Sequence, residues 1–170
     1  EDIILWDSAT QTWAMIFDGS DVGLGNVDVD AFFLYNGAIL LSLDVDVPFG
    51  ALGQIDDSDL LAFIPTSLGN NTQGNFGLYF DGSDVGLETA GEDVDALGFD
   101  AQGRLLVSVN GSLSVPHVLN GTVTGDDEDL IVLYNGRFGS NTQGRWATYF
   151  DGSDVGLTSE GEDVQALWAN

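Results

Sequence analysis

Apolar residues in this chain come in short bursts. The blocks at 3–6, 38–43, 60–63, 94–99, 105–109 and 130–134 are each four to six residues long. Gly, Asn, Asp or Ser bounds every one, and most show apolar–polar alternation. That is the pattern of β-strands separated by turns. A 3.6-residue period is nowhere sustained over helical length. The pattern predicts eleven strands, near 2–6, 11–17, 28–34, 38–44, 59–64, 76–80, 94–99, 103–109, 129–134, 146–150 and 164–169. Pro48, Pro65 and Pro116 fall between them, as expected of a residue that cannot donate to a strand ladder.

The bursts repeat. FDGSDVGL occurs unchanged at 17–24, 80–87 and 150–157, with spacings of 63 and 70 residues. Each copy is followed by a second block, VDVDAF at 27–32, EDVDAL at 92–97 and EDVQAL at 162–167. Further blocks match in the same order: NGAILLSLD with QGRLLVSVN, then EDIILW with SDLLAF and EDLIVLY, then TWAMIF with NFGLYF and RWATYF. The linker SLGNNTQGNF at 67–76 matches FGSNTQGRW at 138–146. The extra length of the second spacing fits the stretch 111–127, which reads as a loop or an added hairpin.

These matches divide a single 1–170 domain into units near 1–57, 58–127 and 128–170, the last incomplete. The expected fold is all-β, with antiparallel four-stranded repeat units like β-propeller blades. A three-fold β-trefoil-like barrel is the alternative. Fewer than three full units cannot close a ring alone. Open strand edges would therefore pair with other copies of the chain or with further repeats of a parent chain.

The 28 acidic residues against 3 basic ones, a formal charge of −25, change the picture of partners. Phosphate backbones and anionic membranes are repelled, and cations are favoured. Disorder is argued against by 44% apolar content, with 10 Phe, 4 Trp and 4 Tyr. No apolar run is long enough to span a bilayer. The absence of cysteine excludes disulfides and thiolate metal sites. The chain starts at Glu1 and its only methionine is Met15, which reads as a processed or partial polypeptide.

The order YFDGSDVGL, EDVDAL, GRLLVSV, DEDLIVLY and then an NTQG linker resembles a tandem repeat of large secreted or surface-anchored bacterial proteins. The resemblance covers nearly the whole chain. It implies a propeller-like or adhesin-like module, extracellular or at the cell surface, with no assigned activity. The chain departs from the pattern at Val27 and Gln165, where the other copies carry Glu and Asp.

Candidate chemistry lies mainly in the aspartates. Each octapeptide supplies a pair: Asp18 and Asp21, Asp81 and Asp84, Asp151 and Asp154. The second block adds Asp28 and Asp30, Asp93 and Asp95, and Asp163 alone. Alternation with valine puts the second-block aspartates on one strand face. Oxygen-only clusters suit Ca²⁺. The competing reading is that Asp-Gly merely turns the chain. No EF-hand is present, because Ala31 and Gly37 stand where the loop needs glycine and glutamate.

Trp13, Phe76 and Trp146 occupy equivalent positions. Trp13 and Trp146 would stack on glycans if exposed, or form a repeating core if buried. His117 is the only histidine and reads as a loop residue. Asn70, Asn110 and Asn120 head N-x-Ser/Thr sequons in predicted loops. No motif specifies an enzyme, since the carboxylates are too many for any pair to stand out as a glycosidase site. The expected role is an extracellular structural or adhesive repeat module, cation-stabilised, in a surface or filamentous assembly. The alternative is a carbohydrate-binding propeller or lectin with one site per repeat.

Overall fold

Ten of the eleven expected strands form where the pattern places them, and two short hairpins are added between them. A computed structural model describes residues 1–159 and 161–169. In chain order the strands are β1 (Ile3–Asp7), β2 (Thr12–Phe17), β3 (Val29–Tyr35), β4 (Ala38–Leu43), β5 (Val47–Pro48), β6 (Gln54–Ile55), β7 (Leu60–Ser67), β8 (Gln73–Phe80), β9 (Val94–Phe99), β10 (Leu105–Val109), β11 (Leu113–Pro116), β12 (Thr122–Gly125), β13 (Leu130–Arg137) and β14 (Gln143–Phe150). The described residues contain no α-helix. Nor is there among them any helix long and apolar enough to cross a membrane.

Hydrogen bonding selects two four-stranded antiparallel meanders, β3-β4-β7-β8 and β9-β10-β13-β14. The β1–β2 pair stands before them as a half-unit equivalent to β7–β8. The β5–β6 and β11–β12 hairpins bridge the second and third strands of their own meanders. The unit boundaries expected at 57/58 and 127/128 therefore fall inside sheets. The period is the same wherever it is cut, and the ladders begin a unit at the second block. No sheet closes into a barrel among the described residues, which removes the trefoil-like alternative. The expected strand at 164–169 is not one: it packs against β3 and β9, but among the described residues no strand forms a ladder with it. It still starts like its counterpart: the Val164 N–H donates to the Asp127 carbonyl at 3.2 Å, as Val94 does to Asp57 at 3.1 Å.

Successive sheets stack on one another, so the middle strands are covered on both faces. Ile39, Leu41 and Leu43 of β4 pack towards β1–β2 with Ile3, Phe17 and Phe63. Leu40 and Leu60 point the other way, into a core with Phe80, Val94, Val107 and Trp146. This explains why the block at 38–43 loses its alternation: neither face meets water. Each such side chain contributes about 1.5–3 kcal/mol by burial.

Two local devices set the chain path. Asn36 and Gly37, at φ 51° and 85°, make the two-residue turn between β3 and β4 that needs positive φ at both positions. The octapeptide glycine serves close approach instead. A Cβ on Gly19, Gly82 or Gly152 would lie 2.6 Å from the carbonyl oxygen of Glu1, Ser58 or Glu128 respectively.

The units are joined by a repeated hook. The Gly69 N–H donates to the Ile16 carbonyl at 2.8 Å, and Gly139 does the same to Tyr79 at 2.7 Å. The Thr72 hydroxyl accepts the Asp18 N–H at 2.9 Å and donates to the Gly69 carbonyl at 2.8 Å. Thr142 repeats this with Asp81 at 2.9 Å and Gly139 at 2.7 Å. Both threonines are buried. The NTQG linker of one unit thus grips the octapeptide of the unit before it.

Candidate functional site

The octapeptide aspartates are largely consumed by their own turns. Ser20, Ser83 and Ser153 donate their hydroxyls to Oδ1 of Asp18, Asp81 and Asp151, at 2.6, 2.8 and 2.6 Å. The hydrogen bond from Ser153 is the main reason the Asp151 carboxyl sits below its ordinary value. Asp21 Oδ2 accepts the Thr72 N–H at 2.8 Å and so belongs to the hook. Asp84 and Asp154 are exposed on the single-turn 3₁₀ segments that follow. Among the described residues, no three carboxylate or imidazole side chains gather about one point as a metal cage. The eleven candidate aspartates therefore do not form the combined clusters expected, because the octapeptide pairs and the second-block pairs serve different places.

A third group of aspartates, not singled out as candidates, organises the turns. Asp2, Asp59 and Asp129 each accept an octapeptide glycine N–H through Oδ1, from Gly19 at 3.0 Å, Gly82 at 3.0 Å and Gly152 at 2.9 Å. Burial pushes the Asp59 carboxyl up to about 7, against the opposing pull of the Gly82 N–H. Their signal was available in the sequence, as the recurring Asp before each Leu-rich block.

The second-block aspartates behave differently. Asp28 is exposed and lies 3.6 Å from the N-terminal amine. Asp30 is half-buried, and desolvation with Asp44, Asp28 and Asp57 raises its pKa. Asp93 is buried. Its Oδ2 accepts the Asn110 amide at 2.8 Å, while Oδ1 has no partner. Desolvation, followed by the charges of Asp30, Asp57 and Asp44, lifts its pKa to about 7. Asp95 is only 6% exposed, and its carboxyl meets no hydrogen-bonding side chain other than the neighbouring Asp163 carboxyl. Burial, then its neighbour Asp163, raises it to about 8. Asp163 Oδ2 accepts from Gln165 at 3.2 Å, and Oδ1 is buried with no partner other than the Asp95 carboxyl.

Asp95, Asp163 and Asp30 line one cleft of about 390 Å³ with Val29, Asn110 and Gln165. It lies where β3, β9 and the 163–165 segment meet. The three basic residues are the arginines at 104, 137 and 145. None of them lines the cleft. Arg104 is engaged elsewhere, with Asp100 at 2.6 Å and over the Tyr134 ring at 4.4 Å.

The equivalent aromatics diverge. Trp13 is 63% exposed and lies 5.1 Å from Trp6, ring to ring. Trp146 is fully buried and donates its indole N–H to the Val85 carbonyl at 3.0 Å. It offers no face to a sugar, so the expectation of a ligand role for Trp146 is corrected to a core role. Its cover comes from the longer hairpin: residue 117 bridges to it, and the Val118 N–H donates to its carbonyl at 2.8 Å. Phe76 is packed under Phe49 of the shorter hairpin at 4.8 Å. His117 takes part in this cover through its backbone, and its Nδ1 accepts the Leu119 N–H at 3.2 Å.

No protein-family model matches this chain, and neither a curated protein nor a solved structure does so.

Proposed function

We propose that the chain is a structural repeat module of an extracellular or surface assembly, built from blade-like sheets joined in series. The observation that carries this reading is the hook. The same threonine, glycine and aspartate positions make the same contacts at both junctions, Thr72 on Asp18 and Thr142 on Asp81. Residues committed so uniformly to joining units support a scaffold role better than a single reactive centre. Sheets stacked face to face, each a four-stranded meander, are the form that propeller blades take.

The exposed side of β1 supports association with another polypeptide. Ile4, Leu5 and Trp6 are exposed, and the equivalent β7 and β13 are hydrogen-bonded on that edge to β4 and β10. The Trp6–Trp13 contact corresponds to Phe63–Phe76, which is core in the complete unit. That equivalence favours a protein partner over a glycan for this surface.

Sedimentation velocity over a concentration series tests the reading. The expected result is reversible association at physiological salt that Leu5→Lys abolishes while the circular dichroism spectrum is unchanged. A monomer at every concentration overturns the assembly role.

A further inference from the structure

The cleft at the meeting of the innermost segments asks for a positive charge. Asp95 is buried to 6% exposure, and the only side-chain group beside its carboxyl is the carboxyl of Asp163, itself an acid. Two buried carboxyls side by side are unfavourable when both are charged, unless a proton or a cation compensates them. Several other buried carboxylates have donors: Asp59 has Gly82, Asp129 has Gly152, Asp93 has Asn110, and Glu92 has Ser114 and Thr89. Asp163, facing the same cleft, has a buried oxygen with no partner other than the Asp95 carboxyl. Asn110 lines the same cleft, and its Nδ2 is committed to Asp93, so only its amide oxygen is free to act as a ligand.

We propose that this cleft is a divalent-cation site of the calcium class, with Asp95 and Asp163 as carboxylate ligands, Asn110 as an amide-oxygen ligand and water filling the remaining positions. Two carboxylates and a neutral oxygen make an all-oxygen donor set, which favours a hard cation with flexible coordination. The volume of about 390 Å³ leaves space for the ion's retained waters. Fewer than three carboxylates converge, consistent with the absence of a closed carboxylate cage among the described residues. The octapeptide turns, whose aspartates already have donors, are not the site. The inference stands apart from assembly, since all its ligands come from one chain.

Gln165 provides the sharpest test, because it lines the cleft at the position where the other two repeats carry Asp30 and Asp95. The experiment is calorimetric titration of CaCl₂ into chelator-stripped protein in 150 mM KCl. One saturable site per chain is expected above the weak background of the acidic surface. Asp95→Asn with Asp163→Asn should remove that site, and Asp154→Asn should leave it intact. Gln165→Asp should tighten it about tenfold, so the proposal stays testable even if the double variant does not fold. No saturable site in the wild type, an unchanged site in a folded double variant, loss of the site in Asp154→Asn alone, or no tightening by Gln165→Asp would each overturn it.

Discussion

At the scale of single residues, the repeated octapeptide is a device for close approach. Its glycine lets the third strand's entry pass within contact of the turn, and the aspartate of that entry caps the glycine N–H. Gly82→Ala forces a Cβ against the Ser58 backbone. The expected loss is about 1–3 kcal/mol, the usual range for overpacking. Gly77→Ala is the control, since its Cβ would meet nothing within 4 Å and its φ is not positive. It should be neutral or mildly stabilising. Urea denaturation of the two variants measures the contrast, and equal effects would contradict the packing account. Thr142→Ala removes the acceptor of the Asp81 N–H, so about 1–2 kcal/mol should go with it.

At the scale of elements, equivalent positions differ by what covers them. Trp146→Ala should cost about 3–5 kcal/mol, as for a large aromatic removed from a core. Trp13→Ala should cost under about 1 kcal/mol, because the ring is already in water. The sequence shows these two residues as equals, and what separates them is the cover over Trp146, from the longer hairpin on one side and from Phe80 and Val85 of the preceding unit on the other. Strand positions were readable because turn residues bracket each apolar burst. The burial of Asp93 and Asp95 was not. Alternation with valine makes them look like a solvated strand face, and that inference fails when a second sheet covers the face. The segment 164–169 has strand composition, yet a strand is defined by its neighbour's hydrogen bonds. Thr72 and Thr142 were visible as a repeated NTQG, but nothing in one sequence shows that the loop reaches the unit before it.

At the scale of the whole molecule, charge governs stability. Burial lifts Asp59 and Asp93 to about 7 and Asp95 to about 8, from an ordinary 3.8. Asp95 is faced by Asp163 from the C-terminal segment and by Asp93 from its own strand, and Asp93 by Asp30, Asp57 and Asp44. A raised acid binds its proton more tightly when folded. Its stabilising effect is complete below the ordinary carboxylate value and is lost as pH rises through about 7–8. Glu92 works in the opposite sense. Burial pushes it up, but the N–H groups of Ser114, Glu88 and Thr89 and the Thr89 hydroxyl outweigh that and hold it low. Its contribution is present above the ordinary glutamate range and fades in stronger acid. In chelator, Tm should therefore peak at about pH 4–5 and fall steadily up to about pH 8. Scanning calorimetry across that range checks it, and a Tm that is flat or rises above pH 6 would contradict it. With a formal charge of −25, added NaCl should also raise Tm at pH 8 by screening self-repulsion.

The hook that joins the units has one further consequence, which concerns direction. Its plug, the NTQG loop, and its socket, the octapeptide turn with the strand end before it, are different surfaces on each unit. The plug of a unit reaches the unit before it and its socket receives the unit after it, so the two lie at opposite ends and a two-fold pairing at either end would bring like to like. The short turn between β1 and β2 lacks the plug altogether, since Asp7 folds it tightly onto the N–H groups of Ala9 and Thr10. A series linked this way is therefore polar, with a distinguishable head and tail.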